Sequence, residues 1–185
     1  MHNKKIQEII GYVIVIGILL FGTSGIIYFQ SEKGQNKGKY AELIKEDKLY
    51  RVIDVLDGDT LVANVAGKEV TVRLIGIDTP EVMDPRKPVQ CYGPEASAKA
   101  KEILSNKEIY IEKEKAKGNY DKYGRVLAYA KFTDGTSYNQ YMIENGFAKE
   151  YTFNKEKYKY QKEFKDAQKK AKKEKLGLWS ACPTT

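Results

Sequence analysis

With 185 residues and a net charge of +7, the chain has room for one domain plus an appendage, and its basic balance favours an anionic partner, nucleic acid or anionic lipid. The only histidine, His2, adjoins the initiator, which excludes mechanisms built on a histidine base and zinc sites built on histidine. Cys91 and Cys182 are too far apart for a CxxC motif, and no GxxxxGK[ST] loop occurs, so chemistry based on carboxylates, arginine and a metal ion remains.

In chain order, the first feature is an apolar run. Ile9 to Phe29 contains no charged residue. As a helix these 21 residues span about 31 Å, enough for a bilayer core of roughly 30 Å. Lys4 and Lys5 precede it, as in a signal anchor. The reading is an uncleaved single-pass anchor over 1–29, with the rest of the chain outside the cytoplasm. The rival is a signal peptide cleaved near the small residues Thr23-Ser24-Gly25, leaving a secreted protein. Residues 30–47 are polar and glycine-spotted and read as a tether.

A folded domain is expected over 48–180, followed by a tail at 181–185. Its predicted strands are Tyr50 to Leu56, Thr60 to Val65, Glu69 to Ile77, Glu108 to Lys113 and Tyr123 to Phe132, separated by turn signals. Predicted helices open at Pro94, cover Tyr138 to Asn145, and run from Lys155 to Leu176 with Gly177 as the stop. Five short strands with three helices describe an α+β fold, a small barrel of oligonucleotide-binding type.

Between these elements lie the residues able to do chemistry. Arg73, Asp78, Thr79, Pro80 and Glu81 fall within nine positions, and Asp57-Gly58-Asp59-Thr60 forms a turn upstream. Asp59 and Asp78 are oxygen donors for a hard divalent cation, Glu81 is a candidate base, and Arg73 and Arg125 can each grip a phosphate. If the second and third strands pair antiparallel about Gly67, Asp59 comes opposite a residue near Ile75, which brings both aspartates to one end of the barrel. Arg73 sits among apolar neighbours and needs a partner, for which Glu81 or a bound phosphate would serve. Taken singly, each motif also has a plain structural reading: a turn, a strand exit, a solvated charge. The segment Lys155 to Lys175 holds ten lysines against four acidic residues. That face is suited to nucleic acid, to an anionic membrane, or simply to solvent.

The blocks Leu56-Asp57-Gly58-Asp59-Thr60, Arg73-Leu74-Ile75-Gly76-Ile77-Asp78-Thr79-Pro80-Glu81 and Asp121-Lys122-Tyr123-Gly124-Arg125-Val126-Leu127-Ala128-Tyr129 resemble the signatures of the thermonuclease (staphylococcal nuclease) family. The stretch from Ala171 to Ser180 resembles its closing helix. The resemblance implies a calcium-dependent endonuclease that hydrolyses DNA and RNA, reads little sequence and leaves 3′-phosphates. It implies that Asp59, Asp78 and the Thr79 carbonyl hold calcium and that Glu81 is the general base. Arg73 and Arg125 would bind the scissile phosphate, and Lys122 and Tyr123 the nucleotide's terminal phosphate. The family's base-stacking tyrosine falls near Thr152, so the adjacent Tyr151 is taken for that role. The alternative is a non-catalytic, membrane-tethered nucleic-acid-binding module on the same barrel. Outside the cytoplasm Cys91 and Cys182 are free to pair, since both adjoin helices packing on one body; two unrelated thiols is the other reading.

Overall fold

The computed structural model describes residues 40–82, 88–114 and 118–182. The apolar run at 9–29 lies outside them, and no helix among the described residues is long and apolar enough to cross a membrane. A short helix, α1 (Tyr40–Leu43), leads into β1 (Leu49–Asp57), β2 (Thr60–Val65), β3 (Lys68–Leu74) and β4 (Ile77–Asp78). Helix α2 (Gly93–Leu104) precedes β5 (Glu108–Lys113) and β6 (Val126–Lys131); α3 (Tyr138–Glu144), β7 (Lys149–Glu150), α4 (Gln161–Lys173) and α5 (Leu178–Ala181) complete the body.

Five strands close into a barrel in the order β1-β2-β3-β6-β5, and β4 pairs with β7 as a separate two-stranded ribbon. Closure follows from alternation: Leu61, Ala63 and Val65 of β2 and Val70, Val72 and Leu74 of β3 are buried along with Ile109, Ile111, Val126 and Ala128. Ala66 and Gly67 both have positive φ, 52° and 79°, as a tight hairpin turn requires. Phe164, Ala167 and Ala171 of α4 turn inward at helical spacing, and the Phe164 ring meets Tyr129 and Tyr158.

Several boundaries differ from the sequence reading. Strand β6 starts at Val126 rather than Tyr123, because Tyr123 and Gly124 belong to the turn that Asp121 orders. Helix α4 ends at Lys173 rather than Leu176, because Lys175 is left-handed. The long third strand ends at Leu74, because Gly76 adopts φ 78° and breaks the ladder before β4. A Cβ at Gly76 would lie 2.7 Å from ring atoms of both Phe164 and Tyr158, so the close packing of α4 and its approach segment sets this break. The last long helix begins at Gln161 rather than Lys155, since Asn154 and Lys155 are left-handed and Glu114 accepts the Lys159 main-chain N–H at 2.8 Å. The body also extends into the expected tether: Ala41 and Ile44 belong to the core.

Candidate active site

Three chain segments meet at one end of the barrel, and the β1–β2 turn supplies the first. The Asp59 N–H donates to Asp57 Oδ1 at 3.1 Å, which orders the turn. Asp59 itself is buried: Oδ1 accepts from Thr60 Oγ1 at 2.9 Å and Oδ2 from the Thr79 N–H at 3.2 Å. A Cβ at Gly58 would stand 2.5 Å from Thr79 Cγ2, so glycine lets the turn rest against the β4 exit. The buried Tyr138 hydroxyl donates to the Gly58 carbonyl at 2.8 Å and anchors the turn from α3.

Strand pairing supplies the second segment. Thr60 pairs with Arg73, and the Leu74 N–H donates to the Asp59 carbonyl, so Asp59 lies level with Leu74. Nη2 of Arg73 lies 3.0 Å from Asp59 Oδ2 and 3.6 Å from Asp78 Oδ1. Its Nη1 donates to the carbonyls of Leu74 and Ile77. The charge on β3 is therefore balanced by the two aspartates. The guanidinium folds inward across the β3–β4 break, where these carboxylates and carbonyls meet it.

The third segment is the turn before β6. Asp121 Oδ1 accepts the main-chain N–H of Tyr123 at 2.9 Å and of Arg125 at 3.0 Å, while Oδ2 takes Arg125 Nε at 2.7 Å. Burial pushes the Asp121 carboxyl up, but those Arg125 and Tyr123 donors outweigh it and hold it below the usual carboxylate range. Parallel pairing of β3 with β6 sets Arg73 beside Leu127, two residues after Arg125. Nη1 of Arg125 reaches Thr60 Oγ1 at 3.4 Å, tying this turn to the first. Both arginines line a cleft of about 550 Å³ together with Asp78, Lys122, Tyr123 and Tyr151.

The electrostatics are those of a crowded acidic floor. Burial and then the neighbouring Asp59 push Asp57 up to about 7, against the pull of Arg73. Asp78 is also pushed up, by burial and then by Asp59, with Arg73 and Lys149 opposing; solvent reaches 55% of its side chain and screens the effect. No set of three acidic, cysteine or histidine side chains among the described residues is arranged to hold an ion unaided. The chemistry of Asp57, Asp59 and Asp78 nonetheless fits a hard cation: all donors are oxygen, and their mutual repulsion is relieved by added positive charge.

Residues 71–181 match the family described as "Staphylococcal nuclease homologue". The chain is 37% identical over 177 residues to a thermonuclease of Staphylococcus hyicus, covering 96% of this chain and 99% of the relative. A Staphylococcus intermedius thermonuclease is 35% identical over 167 residues, covering 90% and 97%. Endonuclease YncB of Bacillus subtilis (strain 168) is 37% identical over 125 residues, covering 68% of this chain and 58% of the relative. The chain belongs to the staphylococcal nuclease family. It is a nuclease, hence a hydrolase acting on nucleic acid, and the non-catalytic alternative is set aside.

Within this nuclease the sequence-named residues divide into three groups. Asp59 and Thr79 are buried beneath the cleft, and Arg73, Asp78, Lys122, Tyr123, Arg125 and Tyr151 line it. Glu81 is not among the lining residues; it acts on Asp78 through its charge. Tyr123 is 66% exposed, with Lys122 Nζ 4.9 Å and Arg125 Cζ 5.4 Å from its ring centre. Cys91 and Cys182, neither of which lines the cleft, are joined as a disulfide with Cα atoms 5.8 Å apart.

Sequence reasoning assigned no role to Asp57, Asp121 or Phe153. Asp57 and Asp121 stand inside the quoted motifs, and their turn geometry was the available signal. Phe153 lies in the cleft wall with 59% of its surface exposed, its ring centre 6.5 Å from that of Tyr151. An exposed aromatic two residues from another was the hint there.

Proposed function

We propose that this nuclease is a calcium-dependent endonuclease that hydrolyses DNA and RNA with little sequence preference, by attack of water on phosphorus, leaving 3′-phosphate ends. One observation carries the reading: the Arg73 guanidinium lies between Asp59 and Asp78 at the floor of a cleft whose wall holds Arg125. Positive groups that can meet phosphate oxygens thus sit beside carboxylates that can hold a cation.

Asp59 and Asp78, with the Thr79 carbonyl, would hold calcium, which supplies positive charge against the charge that develops on the phosphate oxygens. Arg73 and Arg125 grip those oxygens from two sides, each held by its own carboxylate before substrate arrives. Glu81 takes the proton of the attacking water, a contribution of about 10²–10⁴-fold for a positioned base. Lys122 and Tyr123 bind the terminal phosphate, and Tyr151 stacks on the base. Contacts made mostly to backbone phosphate read little sequence.

For location we propose a reading that rests on the N-terminal sequence alone, an uncharged run preceded by Lys4 and Lys5. The apolar run at 9–29 anchors the enzyme in the membrane and puts the nuclease body outside the cytoplasm, away from the cell's own DNA. The functional test is incubation of the purified full-length protein with plasmid and with RNA in calcium, in magnesium, and in chelator. Cleavage of both in calcium, weak cleavage in magnesium and none in chelator is expected. Full activity in magnesium with a calcium-specific chelator overturns the metal assignment. For the location, proteolysis of the nuclease body in intact cells is expected, and protection until lysis refutes it.

A further inference from the structure

Glu81 hangs on the chain leaving β4, and the structure holds that chain from outside the cleft. The Glu81 N–H donates to Gln90 Oε1 at 2.9 Å, and the Gln90 N–H donates to the Glu81 carbonyl at 2.9 Å. One residue thus clamps the Glu81 backbone from both sides. Gln90 adjoins Cys91, whose disulfide reaches Cys182 at the end of α5. The far end of this tether is hydrogen-bonded and closely packed. The Leu178 N–H donates to the Gly146 carbonyl at 2.9 Å, and a Cβ on Gly177 would stand 2.3 Å from that same oxygen. On the other side the start of α2 abuts the clamp: a Cβ at Gly93 would lie 2.6 Å from Val82 Cγ1 and 3.2 Å from the carbonyl oxygens of Pro80 and Glu81.

We propose that Gln90 and the Cys91–Cys182 disulfide are positioning elements for Glu81, and that the disulfide makes the rate of cleavage depend on thiol redox state. The proposal rests on the reading of Glu81 as the base. Neither Gln90 nor either sulfur is among the residues lining the cleft, so their effect passes through Glu81. A base must stand within hydrogen-bond reach of the water it deprotonates, and misplacement by about 1 Å costs up to ~10²-fold. The Glu81–Gln90 bonds lie at the surface, where water competes for both partners, so they need the covalent tether to hold one geometry. A dithiol reductant breaks that tether. It delivers two electrons and two protons, the S–S bond opens to two thiols, and the reductant closes to its own cyclic disulfide.

The test measures kcat and KM of the full-length protein in two backgrounds, wild type and Glu81→Gln, each with and without Gln90→Ala, and each oxidised or reduced with dithiothreitol. Amide exchange at Glu81 is followed in parallel. In the wild-type background Gln90→Ala lowers kcat about tenfold with KM unchanged, and reduction lowers it about three- to tenfold, recovering on reoxidation. In the Glu81→Gln background neither change lowers kcat further. Exchange at the Glu81 amide quickens in both cases. Equal losses in both backgrounds, or a change confined to KM, overturn the proposal. Unchanged amide exchange also overturns it, because the clamp then does not hold Glu81. Faster exchange with wild-type kcat in Glu81→Gln instead locates the failure in the assignment of the base.

Discussion

Replacing Asp57 with asparagine should stabilise the metal-free nuclease above neutral pH, although it removes a charge from the active-site turn. Burial and the Asp59 carboxylate raise Asp57 from 3.8 to about 7 in the folded protein. Between roughly pH 4 and 7 the folded state therefore holds a proton that the unfolded chain has released, so stability falls as pH rises through that window. Above it the full cost of an ionised Asp57 remains. A rise of that size corresponds to about 4 kcal/mol if the carboxyl bore it alone. Solvent reaches part of the group and Asp59 shares the charge, so about 1–3 kcal/mol is the expected effect. Asparagine keeps the oxygen that accepts the Asp59 N–H and cannot ionise. Urea unfolding in chelator at pH 5 and pH 8 captures the larger part of the effect: wild type loses about 0.6–2 kcal/mol more than Asp57→Asn between the two. Added calcium should shrink the difference at pH 8, since a cation on Asp59 and Asp78 offsets the Asp57 charge that the variant does not carry. Parallel pH dependences in chelator would refute the account of a strained acidic floor.

Arg73→Lys and Arg125→Lys should each lower kcat by about 10²-fold or more with circular dichroism unchanged, because an ammonium cannot reproduce a planar two-pronged donor; cleavage within a few-fold of wild type removes the phosphate-gripping role. Burial raises the Glu112 carboxyl, but hydrogen bonds from Lys131, Lys159 and Tyr160 outweigh it and hold the group below its ordinary range. Glu112→Gln should cost about 1–3 kcal/mol at pH 7, and the deficit should shrink as pH falls through the lowered value and wild type protonates too; equal urea midpoints at pH 7 would sink this. Gly76→Ala forces a side chain into φ 78° and to 2.7 Å from Phe164 and Tyr158, so a loss of about 2–4 kcal/mol is expected by thermal melting; an unchanged Tm contradicts it.

Some of this molecule is written locally and some is not. The sequence reading places β2 and β5 to the residue, because turn signals bracket each strand and its alternation is short. The β3–β4 break at Gly76 was hidden because apolar residues continue through Ile75 and Ile77, while the rings that force it belong to a segment some 80 residues later. The start of α4 was misplaced for a like reason. Lysines and tyrosines from 155 to 160 suit a helix, but Glu114 and Glu150 bind Lys159 and Tyr158 from other elements and hold that stretch off the helix. The four-residue α1 is too short to carry a period, so the burial of Ala41 and Ile44 could not be foreseen.

The site shows the same division at finer scale. Residue types and order were legible because each motif sits on its own turn, and turns are encoded by nearby residues such as Gly58, Asp121 and Gly124. What the charges do to one another was not legible, since it depends on depth and distance. Arg73 turned out to bridge Asp59 and Asp78, and Asp57 proved to be the carboxyl most clearly displaced from its ordinary range at this site. Those two facts bear on the same chemistry. A guanidinium between two carboxylates keeps the acidic floor foldable before ligands arrive, yet it leaves Asp57 repelled by Asp59. A cation entering that floor relieves the repulsion, and Arg73 can then give up part of its hold on the aspartates to a phosphate oxygen. Affinity for cation and for phosphate should therefore be positively coupled, each ligand binding more tightly in the presence of the other.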